Sequence, residues 1–173
     1  MNQREIAVVA YNPGWTSLFA AERARLAQAL GEAAISIHHI GSTSVTGLAA
    51  KPILDILIEA ASLSAMDEKA REMEALGYEV RGENGIPNRR YYQKGGAQRT
   101  HHVHAFATGD ENLIRHLAFR DYLRQHPEAA AEYARLKQTL ASRFKNDPQA
   151  YQAGKNDFIE MHQKLALAWY TNR

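Results

Sequence analysis

Cysteine is absent from the 173 residues, which excludes disulfides, thiolate chemistry and zinc sites built on thiolates. An excess of one charge is nearly absent too. The formal net charge is +2, too small to hold a nucleic acid or a membrane surface through bulk electrostatics. No window approaches the roughly 18 consecutive apolar residues that a membrane span needs. The start, MNQREIAVVA, carries Glu5 and lacks the apolar stretch of a secretory leader. What is present, 45% hydrophobic and 23% charged residues, is the composition of an ordinary globular domain. A single-domain cytoplasmic protein is expected, long enough to bury a core without cross-links.

Strand and helix signals alternate up to about residue 107, and beyond it every signal is helical. Residues 6–10 suit a short strand. Asn12–Pro13 opens a helix that Gly31 closes, with Trp15, Phe19, Leu26 and Leu30 as its apolar positions. Residues 35–40 and 53–58 read as strands, the second apolar enough to be central. A helix is predicted over 64–76, ending at Gly77, and YEV then begins a strand. Residues 90–94 and 101–107 pair as a hairpin around Gly95–Gly96, preceded by the loop RGENGIPNRR. Thr108 with Glu111 forms a capping-box pattern, and Pro127 and Asp147–Pro148 open two further helices. The expectation is an α+β fold, a mixed sheet flanked by helices (residues 1–107), with a helical C-terminal region (residues 108–173) in the same domain.

The stretch HHIGSTSVTGLAAKPILDILIE (38–59) holds the first chemical signal. A strand ending in Gly41–Ser42 offers bare amides and a hydroxyl to a phosphate, or is a simple turn. Ser44 and Thr46 add hydroxyls. On an extended segment Ile53, Asp55, Leu57 and Glu59 share one face, and Leu54, Ile56 and Ile58 the other. A carboxylate in such a run is costly to bury alone, so Asp55 pairs, with Lys51 for example, or binds a cation or ligand. Histidines cluster in the same two strand regions. His102 and His104 share a face with Phe106, and with Asp55 and His39 they are candidate metal ligands or acid–base groups, provided the strands are neighbours. Arg89, Arg90, Lys94 and Arg99 flank the histidine strand and suit an anionic substrate. In the C-terminal helices Lys137, Lys155 and His162 fall inside apolar stripes, and Arg120 adjoins another that contains Asp121. Either these groups snorkel or pair internally, or they line a polar pocket that the helices complete against the sheet.

Together with LGYEV, THHVHAF, FRDYLRQHPEAAAEYARLKQTLA and YQAGKNDFIEM…ALAW, that stretch resembles the GrpB family of nucleotidyltransferase-like proteins over nearly the whole chain. Some relatives are fused to dephospho-CoA kinase. The resemblance implies the polymerase-beta-like nucleotidyltransferase fold, with Gly41 and Ser42 as phosphate binders and Asp55 as the first metal-binding carboxylate. It also implies a divalent metal, magnesium or manganese ahead of zinc. The departure is Leu57, which stands where the superfamily carries a second carboxylate. Glu59 shares the face but lies roughly 6.6 Å further along the strand, and imidazoles from His102 and His104 suit zinc, manganese or iron better than magnesium.

Three functions compete on this basis. The first is nucleotidyl or phosphoryl transfer, with Asp55, His102 and His104 catalytic and Gly41, Ser42, Ser44, Lys51, Arg90, Arg120, Lys137 and Lys155 holding a phosphorylated or anionic small molecule. The second is a binding module that kept the phosphate cradle and lost catalysis, for which Leu57 argues. The third is a metal-dependent hydrolase or lyase built on Asp55, His102 and His104. A nucleic-acid partner ranks last, because no basic stretch is interleaved with aromatics.

Overall fold

The computed structural model describes residues 7–172. Its sheet has five strands: β1 (Ala34–Ile40), β2 (Leu54–Ala60), β3 (Tyr78–Val80), β4 (Arg89–Lys94) and β5 (His101–Ala107). Their spatial order is β1-β2-β5-β4-β3. β2 and β5 run parallel, and every other neighbouring pair is antiparallel, so the sheet is mixed. The central run of β2 is buried on both faces, as its nearly continuous apolar sequence requires.

Six helices cover the two faces. α1 (Gly14–Leu30), α2 (Leu63–Asp67) and α3 (Ala70–Ala75) lie on one. There Leu26, Leu30, Met66 and Met73 pack on Ile56, Ile58, Tyr92 and Val103. Each such side chain stabilises the fold by about 1.5–3 kcal/mol on leaving water. α4 (Glu111–Gln125) covers the other face, where Leu113 meets Ile40, Leu57 and Phe106. α5 (Pro127–Arg143) and α6 (Pro148–Thr171) pack with α4 through Tyr122, Tyr133 and Phe158. No helix of the described residues is long and apolar enough to cross a membrane.

Four local expectations need correction. The predicted strand 6–10 falls partly outside the described residues, and Val9 forms only an isolated bridge with Ala50. The helix predicted over 64–76 is two short helices separated at Lys69, and Ser62 caps the first by accepting from the Ala65 amide. Thr108 does not cap α4, because its hydroxyl is spent on Glu59 at 2.6 Å; Asp110 caps instead, accepting from Asn112 N. Finally, the stripe of α1 contains Glu22, which is 1% exposed.

Glu22 is buried because β4 and β5 supply its partners. Lys94 Nζ lies 2.6 Å from Oε2 and His101 Nε2 3.0 Å from the same oxygen. Burial alone would raise this carboxyl, but the hydrogen bonds from His101 and Lys94 outweigh it and hold it at about 2, below its ordinary 4.5. A depressed acid contributes stability that is fully present above its unfolded value and lost as pH falls toward its folded one. Between pH 5 and pH 2 the parent should therefore lose about 3 kcal/mol through this group alone. Glu22→Gln should be less stable at pH 7 and show a shallower acid limb in urea titrations. Identical acid limbs in the two proteins would refute the assignment.

Candidate functional site

The site is built on the α4 face of the sheet. Cross-strand register places Asp55 beside Ile40 on one side and His102 on the other, with Leu57 beside His104. The parallel β2–β5 pairing thus makes the Asp55 and histidine strands neighbours. His104 Nε2 lies 3.3 Å from Asp55 Oδ1 and His102 Nδ1 3.6 Å from the same oxygen. Burial by itself would raise the Asp55 carboxyl, but hydrogen bonding from His102 and His104 overrides it and holds the carboxyl well below the usual range. So acidic a group is a fixed negative charge and a poor proton acceptor.

His104 is committed on both sides of its ring. The buried Arg89 directs Nη1 at His104 Nδ1 at 3.3 Å, while its other nitrogens bind the Glu83 and Asn84 carbonyls. A guanidinium can only donate. Nδ1 of His104 therefore accepts, and the ring proton sits on Nε2, aimed at Asp55. His102 Nε2, by contrast, is buried without a hydrogen-bond partner.

Above Asp55 the chain turns through Gly41 into a 3-10 turn, Ser42–Ser44. α5 and α6 bring Lys137 and Lys155 to the same place from the far end of the chain. Lys137 Nζ donates to Ser42 Oγ at 2.6 Å and lies 4.6 Å from the centre of the Tyr133 ring. Lys155 and Lys51 lie 4.8 and 4.9 Å from the centre of the Tyr151 ring. Burial, then repulsion from Lys155 and Lys51, brings Lys137 down to about 7. Burial, then repulsion from Lys51, brings Lys155 down to about 8. These groups line one cavity of about 380 Å³, with Asp55, His102 and His104 on its sheet side and Arg120 on its α4 wall. Lysines in apolar stripes were one of the two readings of the C-terminal helices, and here they form a polar pocket. The alternative partner suggested for them, Asp121, accepts from Arg120 at 2.8 Å.

Other candidates do not converge. His39 points to the opposite face, stacked on Phe19 with Nε2 2.9 Å from Thr43 Oγ1; it is no ligand partner for Asp55, because alternate strand residues face opposite ways. Arg90 likewise lies on the α1–α3 face, paired with Asp67 at 2.7 Å. Lys94 is spent on Glu22. Ser44 turns its hydroxyl back to the Gly41 carbonyl and faces a separate cleft. The sequence reading passed over His116, Gln152 and Gln163, which line the cavity. Burial above all depresses His116, to about 3, so this ring is neutral near pH 7. Its signal was its place four residues before Arg120, one helical turn away on the same side of α4.

The divalent metal implied by the resemblance does not match this donor set. Among the described residues Asp55 is the single carboxylate that lines the cavity. Leu57 is fully buried among Ile40, Phe106 and Leu113, and Glu59 is bound to Ser36 and Thr108. The only lone pair of His104, on Nδ1, is taken by Arg89, and the nitrogen facing Asp55 carries the proton and has none to offer a metal. Among the described residues no three His, Asp or Glu side chains are grouped to hold a metal ion. A two-metal centre needs bridging carboxylates that this arrangement lacks.

With the geometry in place, likeness to other proteins can be weighed. The chain is 46% identical to the protein YqkA of Bacillus subtilis over 99% of its own length, though it spans only half of that relative. The crystal structure of the conserved protein GrpB from Enterococcus faecalis superposes with a TM-score of 0.92 at 42% identity, covering 95% of this chain and 99% of that one. The structure of the Cid1 poly(U) polymerase superposes only weakly (TM-score 0.47, 14% identity, 75% of this chain and 45% of that one) and bears on neither fold nor activity. The GrpB protein family model matches residues 5–164, nearly the whole chain, including the Gly41–Ser42 turn, Asp55, the β5 histidines and all three pocket lysines. By these matches the chain belongs to the GrpB family.

Proposed function

We propose that the cavity binds a phosphorylated small molecule of the nucleotide class, its phosphates on Lys51, Lys137, Lys155 and Ser42. One observation carries this reading. Lys137 and Lys155 are 2% and 9% exposed, and no salt bridge reaches either among the described residues. Buried cations of this kind are costly unless something neutralises them. An entering polyphosphate supplies the missing charge, and the Ser42 hydroxyl and Gly41 turn supply polar contacts beside it.

Binding without transfer is the form that the donor set favours. Leu57 removes the second carboxylate, His104 is held between Arg89 and Asp55, and Asp55 is too acidic to take a proton from an acceptor hydroxyl. Nucleoside triphosphates should therefore raise the melting temperature in EDTA as well as in magnesium, since a ligand at 100 times its Kd stabilises the folded state by ~2.7 kcal/mol. Lys137→Met, which keeps the volume and removes the charge, should weaken that binding by about 100-fold. Proton uptake gives an independent check. Lys137 at about 7 and Lys155 at about 8 are respectively mostly neutral and about half neutral at pH 8, and are pulled to the charged form by the ligand. Binding at pH 8 should thus take up protons, and affinity should fall as pH rises through 7 to 9. Calorimetry in buffers of different ionisation enthalpy reads this directly. No stabilisation by any nucleoside triphosphate would overturn the proposal, and pyrophosphate release that depends on Asp55 would replace binding with transfer.

A further inference from the structure

A second cleft, of about 300 Å³, runs along the free edge of the sheet. β1 has a neighbour on one side only, and the cleft wraps its outer edge between α1 and α4. Arg23 enters from α1, His38 from β1, and Arg120 and Arg124 from α4, with the hydroxyls of Thr16 and Thr46 beside them. Among the described residues no aspartate or glutamate lines it. Arg120 is paired with Asp121 outside the lining, but in a chain whose net charge is +2 three guanidinium groups in so small a space still leave a local excess of positive charge that an anion would relieve.

Carboxylates near the cleft are already engaged. Asp121 accepts from Arg120 at 2.8 Å, and Glu59 accepts from Ser36 and Thr108. Two of the arginines are also held in place by backbone. Arg120 donates Nη1 to the His39 carbonyl at 3.3 Å, and Arg124 donates Nε to the Ser44 carbonyl at 2.9 Å. Such anchoring cuts the side-chain entropy that binding must otherwise overcome. The histidines register the same field: burial first, then the charge of Arg120, lowers His38, and burial, then Arg124, lowers His39 to about 4.

We propose that this edge cleft is a second anion site, taking a small phosphate-bearing ligand on Arg23, Arg120 and Arg124. Arg120 lines both cavities and so places the two anions side by side across the Gly41–Ser44 turn, as a protein with two phosphorylated ligands would need. The assignment stands independently of the reading of the lysine cavity.

Inorganic phosphate separates the two. It is titrated into the full chain while the ring resonances of His38, in the cleft, and His116, in the lysine cavity, are followed. His38 should saturate with its own Kd. Arg23→Gln, at an exposed position of α1, should weaken that Kd by about tenfold and leave the His116 response unchanged. Lys137→Met should do the reverse. Arg124→Gln, with its stability measured alongside because of the Ser44 bond, should repeat the Arg23 result. A His38 signal that does not saturate, or that follows His116 in Lys137→Met and ignores Arg23→Gln, would overturn the proposal.

Discussion

Leu57→Asp is expected to unfold the protein rather than restore a second metal ligand. Leu57 has no exposed surface and packs on Ile40, Phe106 and Leu113. Removing a buried leucine side chain costs about 2–5 kcal/mol. A new carboxylate at the same point adds a burial penalty, because its neighbours are occupied: His104 by Asp55 and Arg89, His38 by Ser36. The sum is comparable to the whole stability of a domain, about 5–15 kcal/mol. Urea denaturation should show a loss of more than about 5 kcal/mol, and Leu57→Asn, uncharged and similar in size to aspartate, should lose less. A Leu57→Asp protein that folds with parental stability and binds magnesium would show that the position is a vacant ligand site and not part of the core.

Gly41→Ala should damage the cavity more than any single lysine change. Gly41 has φ +72° and ψ −176°, a region that only glycine occupies readily, at a cost of about 1–3 kcal/mol for other residues. A methyl group there would also stand 2.7 Å from Asp55 Oδ2 and 2.9 Å from Asp55 Cβ. Asp55 would have to swing away, breaking its contacts with His102 and His104. Expected together are a stability loss of about 3 kcal/mol or more and a loss of nucleotide binding. Gly31→Ala is the control, since Gly31 also has positive φ but nothing within 4 Å of an added methyl. It should lose only the conformational part. In an Asp55→Ala background the Gly41 substitution should cost less, because the carboxyl group it strikes is gone and only the Cβ contact remains. Equal losses at Gly41 and Gly31 would show that the Asp55 contact does not matter.

How much of this was legible beforehand differs from residue to residue. The two faces of β2 were readable, because side chains in an extended strand alternate with a period of two. Asp55, Leu57 and Glu59 on one face and Leu54, Ile56 and Ile58 on the other are as the structure has them. The lysines of α5 and α6 were readable as misfits in apolar stripes, because a charged side chain there needs a reason. Arg90 and His39 went astray for one shared cause. Both adjoin site residues in sequence, yet neighbouring strand positions face opposite sides of the sheet. Glu22 was missed because its stripe was read from its apolar members alone.

By itself, then, the sequence determined most of the strands and helices, most inward-facing positions, the absence of thiolate chemistry and the departure from the family pattern at Leu57. The first three follow from composition or from local periodicity, and the last from the resemblance to the GrpB family. Only the tertiary structure decided which of those inward-facing groups meet. The parallel pairing of β2 with β5 joins Asp55 to His102 and His104 across nearly 50 residues, and the packing of α5 sets Lys137 on Ser42 across 95. Such contacts depend on strand order and helix packing, which are set by burial summed over the whole chain and leave no local mark at either partner.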